Sequence, residues 1–241
     1  MRPPRFFHHT IEKGFITLSP DETAHARQSK RMRAGDAVAL FDGAGVDAAG
    51  VIERIDRKGV DVRVSKIAVK PRPIPQLTVA TAIPKGSRQD VLVEKLTELG
   101  VAAIQPLFTD RSVAKASGHR LEKWRRTAIE AAKQSDQCWL PEIREFASLE
   151  SIAGLAGKER IPLLALDSSP CGRCEHLHDL WKPDEWPTSL IAVVGPEGGW
   201  SEEEQQLLTA AGAKAITLGP NVLRIETAAI AVAAFVHAYQ R

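Results

Sequence analysis

The sequence is poor in cysteine, in aromatic residues and in long apolar runs, and each shortage excludes a class of protein. Three cysteines in 241 residues, an odd number, argue against a disulfide framework and for a reducing compartment. The apolar runs are too short to cross a bilayer, and the first ten residues lack the apolar segment of a signal peptide. We therefore expect a cytoplasmic protein with no membrane partner.

The composition, 44% hydrophobic and 26% charged, is typical of a soluble globular protein of one large or two ordinary domains. The net charge of +2 is unevenly distributed, because residues 1–72 contain 14 Lys and Arg against nine Asp and Glu. A basic first segment fits an arm that holds a polyanion, although ordinary variation in charge explains it equally well.

The first segment, 1–70, has short apolar runs at 15–18, 37–41, 50–55 and 59–64, which predict a small β-barrel. One helix is expected to start at Ser19. The stretch 42–48 matches a GxGxxA dinucleotide pattern, but strands flank it on both sides and no helix follows. We interpret it as a hairpin loop.

A basic cluster follows the start of that helix and comprises Arg27, Lys30, Arg31 and Arg33. Clustered cations of this kind release counterions from a nucleic acid backbone, which indicates a phosphate-contacting patch. A solvated helix face is the alternative interpretation.

Three prolines at 71–76 indicate a stiff linker, after which strands alternate with helices. Strands are predicted at 77–83, 101–107 and 161–166, with helices at 87–99, capped by Ser87, and at 119–134. The segment 77–241 is therefore predicted to be an α/β domain with a mainly parallel sheet.

Two cysteines and two histidines, Cys171, Cys174, His176 and His178, fall within eight residues. Zinc modules usually separate their ligand pairs by a dozen residues or more, so we interpret the run as a surface loop and predict no metal. Cys138 stands alone, and nothing nearby marks it as a nucleophile.

The most informative stretch, 190–234, contains two consecutive strand–glycine turn–helix units. The turns are GPEGG at 195–199 and GPN at 219–221. Glycine lets a backbone approach a ligand closely, so the pair predicts a small-molecule site at the carboxyl ends of parallel strands. Ser201 and Glu204 match a capping box at the start of the first helix.

GPEGG at 195–199 and LGPNVLRIETA at 218–228 together resemble the RsmE-type 16S ribosomal RNA uridine N3-methyltransferases of the SPOUT class. Residues similar to those of the family occur along nearly the whole chain. They are MRPPRFF at 1–7, KG at 85–86, EKLTELG at 94–100, RSV at 111–113 and AAKQS at 131–135. The resemblance implies a PUA-like RNA-binding barrel, then a SPOUT domain with a C-terminal trefoil knot. It also implies a homodimer and methylation of uridine 1498 of the small ribosomal subunit.

The implied cofactor is S-adenosyl-L-methionine, which supplies the reactive methyl group. Glycine turns with apolar walls suit its adenine, and the expected binding residues are Leu166, Gly195, Gly198, Gly199, Leu218, Gly219, Leu223 and Thr227.

Uridine N3 keeps its proton at neutral pH, so methyl transfer needs a stabilised anion or a proton acceptor. Arg224 is the first catalytic candidate, because a guanidinium beside a uracil oxygen favours the anionic base. Glu226 could take the proton or orient Arg224, and Glu197 is an alternative. A salt-bridged helix start is the structural interpretation of these residues.

The target nitrogen lies on the Watson–Crick edge, so the base must be unpaired or flipped. The basic residues expected to hold the RNA are Arg5, Arg27, Lys30, Arg31, Arg33, Arg111, Arg120, Arg125 and Arg126. Relatives commonly have a basic residue soon after the Gln-Ser pair at 134–135, and this chain has none there. Two alternatives stay open: a ribose 2′-O-methyltransferase acting on transfer or ribosomal RNA, and a non-catalytic RNA-binding assembly protein.

Overall fold

The computed structural model describes residues 2–111, 118–166, 174–182 and 184–240. They form two compact units, one of residues 1–72 and 129–140, the other of residues 73–128 and 141–241. Residues 129–140 belong to the first unit, although the sequence-based division placed them in the second domain, 77–241. The sequence-based domain boundaries stay a prediction.

The first unit contains one five-stranded sheet. Its strands are β1 (Arg5–Phe7), β2 (Gly14–Thr17), β3 (Ala37–Phe41), β4 (Val46–Ile55) and β5 (Val60–Val69). The order is β1-β3-β4-β5-β2, and only the β1–β3 pair is parallel. Alternate residues of β5 are buried at its start, as a sheet with one face on the core requires.

The glycine-rich stretch between β3 and β4 is the predicted hairpin loop. The two strands pair antiparallel from Phe41 and Asp47 onwards. The Asp42 carboxylate accepts hydrogen bonds from the backbone N–H groups of Ala44, at 2.7 Å, and Val46, at 3.0 Å. This local turn closes the hairpin and leaves no helix start to receive a dinucleotide.

The predicted helix start at Ser19 is confirmed, because its hydroxyl accepts a hydrogen bond from the backbone of Glu22. Helix α1 (Pro20–Ala24) continues into a π-helical turn at His25–Ser29. Within the same unit, the Lys133 ammonium lies 2.5 Å from the Glu22 carboxylate, and both side chains are more than nine-tenths buried. Lys133 also contacts the exposed Glu130.

The second unit contains a larger, wholly parallel sheet. Its strands are β6 (Gln76–Thr81), β7 (Ala103–Phe108), β8 (Glu142–Ile143), β9 (Ala147–Ser148), β10 (Leu163–Leu166), β11 (Glu175–His176), β12 (Ser189–Val194) and β13 (Lys214–Thr217). The order is β11-β13-β10-β12-β6-β7-β8, with β9 beside β7. Every residue of β12 after the first is buried, as expected for a strand covered on both faces.

The remaining helices are α2 (Arg88–Glu98), α3 (Gly118–Ser135), α4 (Leu149–Glu159), α5 (Glu202–Ala210) and α6 (Ile225–His237). Apolar residues of α4 and α5 join one core cluster with alternate residues of β10 and β12. Helix α6 packs against α2, β6 and β12.

Three details differ from the sequence-based expectations. Ser87 stands at the start of α2, but its side chain makes no capping hydrogen bond. The last helix begins at Ile225 rather than Leu223, because Arg224 keeps an extended backbone. Helix α4 and the two-residue strands were not foreseen.

Of the helices within the described ranges, none combines the length and the apolarity that spanning a membrane requires.

Replacing Lys133 by methionine should lower the free energy of unfolding by about 3 kcal/mol, because Glu22 would stay buried as an unpaired charge. Urea denaturation measures the loss. The double variant Glu22→Leu/Lys133→Met should recover most of it. Lys95→Gln, which removes the half-exposed pairs of Lys95 with Glu94 and Glu98 on α2, is the control and should change little. A stable Lys133→Met single variant would contradict this account.

Candidate active site

A cleft opens at the carboxyl ends of three neighbouring parallel strands, β10, β12 and β13. It encloses about 690 Å³ of space outside the protein atoms, part of which is open to solvent. It is lined by Leu166, Val194, Gly195, Pro196, Glu197, Gly199, Trp200, Ile216, Thr217, Leu218, Gly219, Asn221, Val222, Leu223, Ile225 and Ala228. Both glycine turns therefore contribute to one cleft.

The cleft contains six of the eight residues expected to bind a cofactor. They are Leu166, Gly195, Gly199, Leu218, Gly219 and Leu223. The other two, Gly198 and Thr227, are outside its lining; Thr227 is exposed on the first turn of α6.

Gly195 is where the first turn requires glycine. A Cβ atom at this position would lie 2.8 Å from Cε2 of the Trp200 indole. Trp200 is buried, and its Nε1 donates a hydrogen bond of 3.3 Å to the Leu166 carbonyl at the end of β10. The indole therefore joins the end of β10 to the turn that follows β12.

The helix after the first turn begins with the predicted capping box. The Glu204 backbone N–H donates to the Ser201 hydroxyl at 3.2 Å, and the Ser201 backbone N–H donates to the Glu204 carboxylate at 2.8 Å. The loop after β7 joins the same cap, because Ser201 Oγ donates to Asp110 at 2.6 Å and the Asp110 backbone N–H donates to Glu204 at 3.1 Å.

The second turn is held by a short local contact. The Thr217 hydroxyl donates to the Gly219 carbonyl at 3.0 Å, and the Gly219 N–H lies 3.3 Å from the same hydroxyl. Gly219 has a φ of 146°, which side chains rarely adopt. Val222 and Leu223 follow with 78% and 37% of their surface exposed, so an apolar edge of the cleft faces solvent.

The three catalytic candidates differ in exposure. Arg224 is exposed at the start of α6, and it forms no ion pair within the part of the chain that the structure describes. Glu226 is buried in the first turn of α6, and its Oε2 has no hydrogen-bond partner among the described residues. Glu197 lies in the first glycine turn with its carboxylate half exposed.

Arg88 connects the two glutamates and was not foreseen as a site residue. Its Nη1 donates to Glu197 Oε1 at 3.1 Å and lies 3.6 Å from Glu226 Oε1. Arg88 is the first residue of α2, where a cation opposes the helix dipole. A cation at an unfavourable helix start, three residues after Lys85 of the family motif, is the sequence feature that could have indicated a role for Arg88.

The basic cluster of the first unit is exposed. Arg27, Lys30, Arg31 and Arg33 have exposed side chains, and none forms an ion pair with a described residue. Arg5 differs, since only 7% of its side chain is exposed. It donates to the Gln137 carbonyl at 3.0 Å and its guanidinium lies 5.0 Å from the centre of the Phe41 ring. This burial argues against the predicted RNA contact of Arg5.

The RNA candidates of the second unit are engaged to different degrees. Arg111 donates to the Gly198 carbonyl at 2.6 Å, and Arg125 pairs with Glu122 on the same helix. Arg120 is half-buried. Arg126 is exposed, with no ion pair to any residue in the described ranges.

The Cys/His run is only partly described, because Cys171 lies outside the described residues. Cys174 is a free thiol, and the rings of His176 and His178 stack at 5.3 Å. Within the described ranges no group of three His, Cys, Asp or Glu residues could hold a metal ion. Cys138 is buried beside Phe41, and burial raises the pKa of its thiol, as expected for an unreactive cysteine.

Two protein-family models match this chain. An RNA methyltransferase domain matches residues 70–237, and an RNA methyltransferase PUA domain matches residues 18–65. Together they define the class: an RNA methyltransferase domain preceded by a PUA domain.

Individual proteins narrow that class. Ribosomal RNA small subunit methyltransferase E of Synechocystis is 31% identical over 90% of this chain and 71% of its own length. The protein of the same name from Mycobacterium bovis is 35% identical over 87% of this chain and 80% of its own length. The crystal structure of the Neisseria gonorrhoeae protein of that name, bound to S-adenosyl methionine, has a TM-score of 0.86 at 27% identity and covers 98% of both chains. The chain belongs to the ribosomal RNA small subunit methyltransferase E family.

Gly195→Ala should lower the free energy of unfolding by about 1–3 kcal/mol, because its methyl group would overlap the Trp200 indole. The matched control is Gly154→Ala in the middle of α4, where nothing lies within 4 Å of the added atom. Alanine is the better helix former, so this control should be as stable as the wild type or gain up to about 1 kcal/mol. Thermal or urea unfolding compares the two variants, and equal stability would contradict the packing argument.

Proposed function

We propose that this chain is a cytoplasmic S-adenosylmethionine-dependent methyltransferase that modifies N3 of one uridine in 16S ribosomal RNA of the small subunit. By resemblance to its family, the target is uridine 1498. The observation that supports this most directly is the cleft that both glycine turns line, whose lining includes Leu223 and Ile225, the chain neighbours of the exposed Arg224. The shared name of the relatives from Synechocystis and Mycobacterium bovis supports the substrate class.

The cleft residues fit S-adenosylmethionine. Its lining includes apolar residues, among them Leu166, Leu218 and Leu223, and residues of both glycine turns. An adenine ring can be held between such residues with its polar edge on backbone N–H and C=O groups. When bound, the cofactor supplies an activated methyl group.

We assign to Arg224 the role of contacting the uracil base. Its side chain is exposed at the start of α6, next to Leu223 and Ile225 of the cleft lining. A guanidinium beside O2 or O4 stabilises the negative charge that appears when N3 loses its proton. Loss of that proton makes N3 nucleophilic enough to attack a methyl group.

The two glutamates are candidates for handling the proton. Glu226 has one carboxylate oxygen that is buried and without a partner among the described residues, which argues for a role beyond a helix-start salt bridge. The same burial means that the base could reach this oxygen only after a local rearrangement. Glu197, with 54% of its side chain exposed, is directly accessible and stays the alternative.

RNA binding would rest on exposed cations. In the first unit these are Arg27, Lys30, Arg31 and Arg33, and in the second unit Arg126 is exposed as well. Such residues bind phosphates without reading sequence, so they would hold the RNA while one base is extracted.

Two finer features of the family are also proposed. A trefoil knot is supported by the strand order, because β13 lies on one side of β10 while β12 before it and α6 after it lie on the other. A homodimer is supported by a partly exposed aromatic cluster on and beside α6, in which Trp186 stacks on Tyr239 at 4.6 Å and Phe235 lies nearby.

Incubation with radiolabelled S-adenosylmethionine and either naked 16S RNA or assembled small subunits should place label on N3 of a single uridine. Nucleoside mapping by mass spectrometry identifies the position. Label on a ribose 2′-hydroxyl would instead indicate a 2′-O-methyltransferase. RNA binding with no transfer to either substrate would indicate a non-catalytic assembly protein.

Arg224→Ala should reduce methyl transfer at least about a hundredfold, the typical effect of removing one group that stabilises transition-state charge. The dissociation constant for S-adenosylmethionine, measured by calorimetry, should stay close to that of the wild type. Arg224→Lys keeps the charge without the planar fork and should recover only part of the rate. Loss of cofactor binding in Arg224→Ala would show that this residue serves the cofactor instead.

A further inference from the structure

Two arginines from outside the first glycine turn contact it at adjacent residues. Arg111 follows β7 and reaches the backbone of Gly198, while Arg88 begins α2 and reaches the side chain of Glu197. The turn has one internal hydrogen bond, from the Gly199 N–H to the Pro196 carbonyl at 2.9 Å. Its shape therefore depends on contacts with its surroundings.

Arg111 contacts the turn in two ways. Its Nη1 donates to the Gly198 carbonyl at 2.6 Å, and a Cβ atom added at Gly198 would lie 3.3 Å from the Arg111 Cδ. The aliphatic part of the Arg111 side chain thus packs against Gly198 on the side where another residue would carry its Cβ atom. The preceding residue, Asp110, is hydrogen-bonded to Ser201 and Glu204, so the backbone that presents Arg111 is itself anchored.

Arg88 joins the turn to the start of α6. It pairs with Glu197 of the turn at 3.1 Å and with Glu226 of α6 at 3.6 Å. Because Glu226 is buried and Glu197 is exposed, the Arg88 guanidinium connects an exposed residue of the turn to a buried residue of α6.

We propose that Arg88 and Arg111 are positioning residues that hold the turn at 195–199 in the shape that lines the cleft. They act on cofactor affinity through Glu197 and the Gly198 carbonyl. This deepens the function proposed above, since the ligand is the cofactor named there. For Arg111 it assigns the guanidinium to the protein backbone, whereas the sequence predicted contact with RNA.

The two arginines should differ in effect. Arg111 makes a charge-assisted hydrogen bond to a backbone carbonyl, and losing such a bond weakens binding by about tenfold or more. Arg88 forms partly exposed ion pairs, whose loss is worth only about two- to fivefold. We therefore expect Arg111→Ala to raise the dissociation constant for S-adenosylmethionine more than Arg88→Ala does.

The first experiment needs no ligand. Amide hydrogen exchange of the free protein, read on peptides that cover 195–199, should be faster in Arg111→Ala and Arg88→Ala than in the wild type. Lys95→Gln, an exposed ion-pair variant on α2, is the control and should exchange like the wild type in these peptides. Unchanged exchange of the turn in both arginine variants would overturn the proposal, whether or not the protein transfers methyl groups.

The second experiment separates the cofactor from RNA. Calorimetry with S-adenosylmethionine and steady-state kinetics with each substrate varied should show a raised KM for the cofactor and an unchanged KM for RNA in Arg111→Ala. Arg111→Lys should recover part of the affinity, because one ammonium donor can still reach a single carbonyl. A raised KM for RNA with normal cofactor affinity would overturn the assignment of Arg111 and favour the RNA contact.

A double-mutant cycle tests the packing of Arg111 on Gly198. Gly198→Ala alone should weaken cofactor binding, since its methyl group would press on the Arg111 stem. In the Arg111→Ala background the same change should cost much less, because the stem is gone. Additive effects of the two substitutions would overturn the contact as the source of the affinity.

Discussion

The approach of Gly195 to the Trp200 indole is the constraint on which the candidate site depends. The indole occupies the space that a side chain at 195 would need, and its Nε1 bonds the end of β10. One ring therefore fixes the turn after β12 against the neighbouring strand. Strand β13, which leads into the second turn, pairs with the same β10. A cleft with walls from three strands results from this single packing contact and the order of the strands.

Charge is used differently in the two units. In the first, Lys133 and Glu22 are buried together, and Arg5 is buried against Phe41, so some cations there serve the fold. The cluster that begins at Arg27 is exposed instead, and its contact with RNA stays a proposal. In the second unit, Arg88 and Arg111 bind carboxylate and carbonyl oxygens of the turn. Basic residues that stabilise the fold and basic residues that face solvent therefore cannot be distinguished from the sequence alone.

The residue patterns by themselves predicted only local structure, whereas the PUA and RNA methyltransferase domains were predicted from the resemblance to a family. The capping box of Ser201 and Glu204 spans four residues, and the glycine turns and most longer strands follow from short patterns. The contact of Arg88 with Glu197 joins residues 109 positions apart, and no local pattern encodes it. Helix α4 escaped notice because Gly154 and Gly157 weaken its helical signal. The two-residue strand β11 exists only because β13 pairs with it.

The position of α6 has a consequence for synthesis of the chain. Val194, Thr217 and Ala228 line one cleft, and the helix that contains Ala228 packs back onto β6, the first strand of the parallel sheet. During translation the strands of the sheet emerge from the ribosome before α6 does, because α6 follows all of them in the chain. The cleft can therefore be completed only after α6 has emerged and packed onto β6, so a nascent chain without α6 has a sheet but no finished ligand site.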